Sequence, residues 1–135
     1  MFWRRSTSTK VALAFVAACN ARDGVRLAEL LHPEVVFQDS RGGRLEGAAE
    51  VLAALGRVNA IAPDLRVEIE KTVERGDMVL LTGRSITTNA ALSTDTQWRA
   101  TVRGGKLVEW QAYGRQSESS LVGLLRSLGE GGAAK

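Results

Sequence analysis

The hydrophobic pattern of this chain changes period about halfway along, and that change limits the folds open to it. Up to about residue 60 the apolar residues fall at helical spacing; from Leu65 onward they alternate with polar ones. Thr7 to Ala21 reads as a first helix, apolar on every side from Val11 to Cys19, the mark of a helix enclosed by its own protein. Asn20-Ala21-Arg22-Asp23-Gly24 ends it and opens another, with Asp23 as N-cap, and Val25 to Leu31 is a short second helix stopped by His32-Pro33. Val35-Val36-Phe37-Gln38 is a short strand ending at Asp39, and Ser40 to Arg44 is turn chemistry. Glu46 to Ala60 is a third helix with Val51, Leu52, Leu55 and Val58 on one face.

Beyond it, Leu65, Val67 and Ile69 alternate with Arg66, Glu68 and Glu70. Met78 to Thr88, Thr94 to Arg103 and Lys106 to Arg115 read as further strands, with reversals at Arg75-Gly76-Asp77 and Gly104-Gly105. A weak amphipathic segment around Leu121 to Leu128 and a Gly/Ala tail follow. Three helices and then a run of long hairpins make an α+β layout: a strongly curved, mainly antiparallel sheet whose apolar inner face the helices cover.

With 135 residues the chain is expected to be one domain, 1–135, with its core at about 8–115 and residues 116–135 as a C-terminal extension. A chain of this size has enough core for one enclosed cavity. One cysteine and one histidine, Cys19 and His32, exclude a disulfide framework, multi-cysteine zinc and three-histidine metal sites, and most Ser-His-Asp or Cys-His machinery. No metal and no cofactor is expected. His32, beside Pro33, reads as a helix-stop residue. The net charge of +3 comes from mixed signs. Arg99, Arg103 and Lys106 are too thin a basic patch for nucleic acid, which is not an expected partner.

Arg4, Arg5 and Lys10 precede the apolar run, and Val16-Ala17-Ala18-Cys19 resembles a bacterial lipoprotein cleavage box. The apolar run, Val11 to Cys19, is far short of the about 20 residues that span a bilayer. The expectation is therefore a structural helix, with Cys19 a small core residue, and a cytoplasmic protein without a membrane partner.

Four stretches carry a resemblance: Phe15 to Asp23, Leu31 to Asp39, Leu45 to Val51 and Gly105 to Tyr113. In this order they resemble the NTF2-like superfamily, and within it the SnoaL-like and ketosteroid-isomerase-like domains. The resemblance implies a cone-shaped, cystatin-like α+β fold with a hydrophobic pocket, and domains that pair through the outer face of the sheet. A homodimer is expected on that ground. A second reason is that the Met78 to Thr88 strand is apolar on both faces, so that its outer face also asks for cover. The fold alone does not give a function, since it hosts isomerases, cyclases, dehydratases, epoxide hydrolases and binding modules.

Asp39 is the candidate catalytic residue, one position past an apolar strand, where the resemblance puts the mouth of the cone. In the ketosteroid isomerases, which Val36-Phe37-Gln38-Asp39 resembles in place and spacing, a carboxylate here moves a proton between carbons. A carboxylate among aromatic rings loses hydration and becomes a stronger base. The isomerases also need donors to the enolate oxygen. Phe15 and Trp98 stand at those positions here; Phe15 donates nothing and Trp98 offers only an indole N–H. The substrate pocket is expected from Phe15, Leu80, Thr82, Arg84, Trp98 and Trp110, with Arg84 pointing inward to pair with Asp39 or to bind a carbonyl or anionic group. The epoxide-hydrolase pattern of two Asp and one Arg meets Trp98 and Tyr113 where carboxylates are needed. Two readings stay open: an isomerase- or cyclase-type enzyme acting on a hydrophobic carbonyl compound with Asp39 as general base, and a non-catalytic ligand-binding or dimerisation module. Asp39 as a turn residue that caps the following loop fits the second.

Overall fold

The computed structural model describes residues 7–39, 42–88 and 94–114. Arg4, Arg5, Ser40, the segment Leu121 to Leu128 and the Gly/Ala tail lie outside the described residues. Three helices, α1 (Thr7–Ala21), α2 (Gly24–Leu30) and α3 (Ala48–Ile61), accompany six strands. The strands are β1 (Leu31–Gln38), β2 (Arg44–Glu46), β3 (Arg66–Arg75), β4 (Met78–Ile86), β5 (Thr94–Arg103) and β6 (Lys106–Gly114), in the order β2-β1-β6-β5-β4-β3. The fold is α+β, with three helices and one mixed six-stranded sheet.

The α1 helix lies in the core as its sequence demands: Val11, Ala12, Phe15, Val16 and Ala18 are buried, and the helix contacts β3, β4, β5 and β6. It ends in a left-handed residue, Arg22, at φ 57°. There the Arg22 N–H donates to the Cys19 carbonyl at 3.2 Å and the Asp23 N–H to the Ala18 carbonyl at 3.0 Å, the double bond that closes a helix C-terminus. Asp23 then caps α2, its carboxylate accepting from the Arg26 N–H at 3.0 Å. Cys19 packs against the core, and burial pushes its thiol up to about 12, with Arg22 acting weakly the other way, so it is no nucleophile near neutral pH.

Two of the expected boundaries are corrected. His32-Pro33 does not stop a helix ahead of the first strand; β1 already starts at Leu31. Pro33 sits where β1 leaves its neighbour: β1 runs parallel to β6, pairing Leu31 with Leu107 and then nothing until Val36 with Glu109, so the missing proline N–H costs no ladder bond. His32 instead accepts the Glu34 N–H on Nδ1 at 3.0 Å. The turn region contains a strand, β2, paired antiparallel to β1.

Bulges give the sheet its bend. Ile69 pairs with Gly83 but Lys71 with Thr82, leaving Glu70 as an extra residue in β3. Thr101 pairs with Glu109 but Val102 with Leu107, leaving Val108 extra in β6. An unpaired residue of this kind increases local twist and bends the strand. Both tight reversals are as expected, and Gly104 and Gly105 at φ 60° and 77° meet the positive φ that a two-residue type I′ hairpin requires.

A candidate ligand site on the inner sheet face

Cross-strand register decides which side chains face the helices. Leu81 pairs with Trp98, Trp98 with Ala112, and Val79 with Ala100, which pairs with Trp110; Phe37 pairs with Trp110 from the other side. Directly opposed residues share a face, so the inner face carries Val79, Leu81, Trp98, Ala100, Trp110 and Phe37, all buried. Phe15 comes down on them from α1. Its ring centroid lies 4.9 Å from Trp110 and 5.6 Å from Phe37, and Trp98 lies 6.0 Å from Trp110, all within the range of favourable aromatic pairs. Phe15, Trp98 and Trp110 are thus brought together, packed on one another as part of the core.

Asp39 joins them from the end of β1. Val35, Phe37 and Asp39 alternate onto the inner face and all three are buried, Asp39 only 4 % exposed. The parallel register that sets Gln38 beside Gln111 brings the next position, Asp39, alongside Ala112. The side chains toward that end of the inner face are small: Ala112, then Gly83 opposite the buried Thr96. The Asp39 carboxylate also organises the β1–β2 turn. Its Oδ1 accepts the Gly43 N–H at 2.8 Å, while its own N–H donates to the Gly43 carbonyl at 2.9 Å. Asp39 is therefore both an enclosed acid on the aromatic face and a turn-capping residue, the two placements that sequence set against each other.

Leu80, Thr82 and Arg84 are not in this site. They belong to the other face of β4, with Leu80 47 % exposed. Arg84 is exposed and pairs with Glu70 at 3.2 Å, so it lies across the sheet from Asp39 and does not balance its charge. The physical reason is the register: β4 is apolar on both faces, and only its pairing with β5, which sets Leu81 and not Leu80 opposite Trp98, selects the inner row.

The outer face holds a polar network absent from the sequence-based reading. Arg99 donates through Nη2 to both carboxylate oxygens of Glu109 at 3.2 Å and to the Gln111 Oε1 at 3.0 Å, and the Thr101 hydroxyl donates to Glu109 at 3.2 Å. Arg99, the centre of the thin basic patch, is thus neutralised within the sheet. Only the matching odd-numbered positions of two neighbouring strands hinted at it. Among the described residues no group of three or more His, Cys, Asp or Glu is placed to hold a metal ion, and no helix is long and apolar enough to cross a membrane.

Residues 12–110 match the SnoaL-like domain family. This chain belongs to that family. Among solved structures, the SnoaL-like domain is similar to an LEH-like epoxide hydrolase from M. tuberculosis, with a TM-score of 0.73 at 20 % identity over 90 % of this chain and 92 % of that one. A protein from Kribbella flavida assigned as a ketosteroid isomerase matches with a TM-score of 0.70 at 16 % identity over 82 % and 78 %. A de novo designed protein with a curved β-sheet matches as well as either, with a TM-score of 0.74 at 18 % identity over 93 % and 99 %. That a designed curved sheet is as similar as the natural proteins means that likeness at this level reports the fold and not a chemistry. No curated protein matches the chain.

Proposed function

We propose that this SnoaL-like domain binds a small hydrophobic, carbonyl-bearing molecule at the Asp39 end of its inner sheet face, with Asp39 as general base for proton transfer at the carbon next to the carbonyl. One observation carries the reading: a carboxylate only 4 % exposed on the same face as Phe37, Trp98 and Trp110. Burying a carboxylate is costly unless it is used or well bonded, and a polar group on an otherwise apolar face is what orients a ligand there. Solved relatives in fold include proteins described as an epoxide hydrolase and a ketosteroid isomerase, which agrees with small-molecule chemistry without selecting one reaction. A cytoplasmic location and a homodimer joined through the outer sheet face complete the proposal.

The second reading, a binding module without catalysis, is favoured by a specific observation. The Gly43 N–H already occupies Asp39 Oδ1 at 2.8 Å, and Phe15 offers no donor to an enolate oxygen. Proton exchange separates the two readings. Hydrophobic ketones, from 1-tetralone to steroid ketones, are incubated in D2O with the protein, and α-proton exchange is followed by NMR. The base reading expects catalysed exchange that falls by about 10²–10⁴ in Asp39→Asn. Asparagine keeps an oxygen for the Gly43 N–H, so the turn survives. Exchange unaffected by the substitution removes Asp39 as the base, and ligand-induced stabilisation without exchange leaves the binding module.

A further inference from the structure

β3 is an edge strand of ten residues, and edges of that length present unpaired N–H and C=O groups that another chain can pair with. In β3 the outward groups at its start are already taken. The Val67 N–H donates to Asn20 Oδ1 at 2.9 Å, and Asn20 Nδ2 donates to the Val67 carbonyl at 2.9 Å. A primary amide carries a donor and an acceptor in one plane, as a peptide group does, so Asn20 stands in for one residue of a missing neighbouring strand.

Arg22 extends the cover to the turn that leads into β3. Two residues beyond Asn20, Arg22 Nη2 donates to the carbonyls of Leu65 at 2.9 Å and Pro63 at 2.7 Å. Pro63 lies in the turn that leads into β3, where the Leu65 N–H donates to the Ala62 carbonyl at 3.0 Å, and the same Nη2 also reaches the Ala62 carbonyl at 3.5 Å. The next carbonyl along, that of Glu68, points the other way, toward β4: a Cβ built on Gly83 would lie 1.9 Å from it. Asn20 in the last turn of α1 and Arg22 just past it thus cover the Val67 N–H and carbonyl at the start of the β3 edge and the carbonyls of the turn that leads into it.

We propose that Asn20, with Arg22 beside it, guards the β3 edge against pairing with β3 of a second copy of this chain. The contact is distinct from any association through the outer sheet face, because it uses main-chain groups at the margin of the sheet. Antiparallel pairing of two identical edges is geometrically available to any exposed strand, and the guard removes the groups that would start it.

The test compares wild type with Asn20→Ala and Asn20→Asp. Three readouts are used: native-state hydrogen exchange by NMR, sedimentation velocity over a concentration series, and binding of a fluorescent synthetic peptide copying residues 65–71. In Asn20→Ala the Val67 amide is expected to exchange at least about tenfold faster than in wild type, as for an amide released from its partner, with little change at the inward-facing Glu68 amide. The variant is further expected to form species larger than the wild-type state as concentration rises, and to bind the peptide at least about tenfold more tightly. Asn20→Asp keeps the acceptor for Val67 but loses the donor, and is expected to fall between the two; it decides the question by the same readouts if the alanine variant does not fold. An unprotected Val67 amide without self-association or peptide binding overturns the guard, as does unchanged protection of Val67.

Discussion

At the scale of single residues, three of the seven side chains singled out from sequence, Leu80, Thr82 and Arg84, differ from expectation, and they differ only in facing. Phe15, Trp98 and Trp110 were legible because aromatic residues in strongly apolar patterns are buried wherever they stand. Asp39 was legible because a carboxylate directly after an apolar strand has few places to go. Arg84 was not: its facing depends on whether Leu80 or Leu81 meets Trp98, and nothing within β4 records that. Gly83 is the residue whose role was invisible in sequence. A Cβ there would stand 1.9 Å from the Glu68 carbonyl oxygen and 3.0 Å from the Ile69 Cα, beside the β3 bulge, so the backbone itself would have to move. Gly83→Ala is expected to destabilise the protein by about 3 kcal/mol, the upper end for overpacking. In a domain of this size that corresponds to a melting temperature lower by about 10 °C. A change within two degrees would mean that β3 and β4 do not approach this closely.

At the scale of elements, α1 and β5 were read with the bounds they have, Thr7–Ala21 and Thr94–Arg103, since both rest on long local patterns. The elements that sequence missed are those that exist only through distant partners. β2 has three residues, Arg44–Glu46, too few to show a period, and it is a strand because Leu45 finds Phe37. The parallel β1–β6 pairing joins segments some seventy positions apart, which no window along the chain can reveal. On the outer face of β4 and its neighbours, Met78, Leu80, Ile86, Val73 and Tyr113 are each at least 36 % exposed, an apolar row of the kind that marks an interface. The proposed homodimer uses this row. Leu80→Glu is expected to convert the dimer to monomers in light scattering after gel filtration, with the fold intact by circular dichroism, because Leu80 is not part of the core. A variant that still elutes as a dimer would place the interface elsewhere, and a wild type that is monomeric throughout would remove it.

At the scale of the whole molecule, a bent sheet wraps three helices, and its inner face is polarised along its length. Aromatic rings fill the middle, and an enclosed acid with small side chains beside it occupies the end where β1 finishes. The outer face has the opposite character, with a neutralised Arg99–Glu109 pair among exposed apolar residues. The proposed function rests on that asymmetry: a hydrophobic carbonyl compound belongs on the inner face. Trp98 and Trp110 report on it directly, since both indoles are buried there, 5 % and 8 % exposed. The decisive measurement is a fluorescence titration of a Trp3→Phe variant, which leaves these two indoles as the emitters, with the ketone that most raises the melting temperature. Ligand seated at the Asp39 end should change their emission saturably, and Asp39→Asn should tighten the apparent affinity by about threefold or more, because a carboxylate and a ketone oxygen are both acceptors whereas the amide can donate to the ketone. Saturable stabilisation that leaves both indoles silent and ignores the Asp39 substitution would place the ligand on another surface and contradict the account.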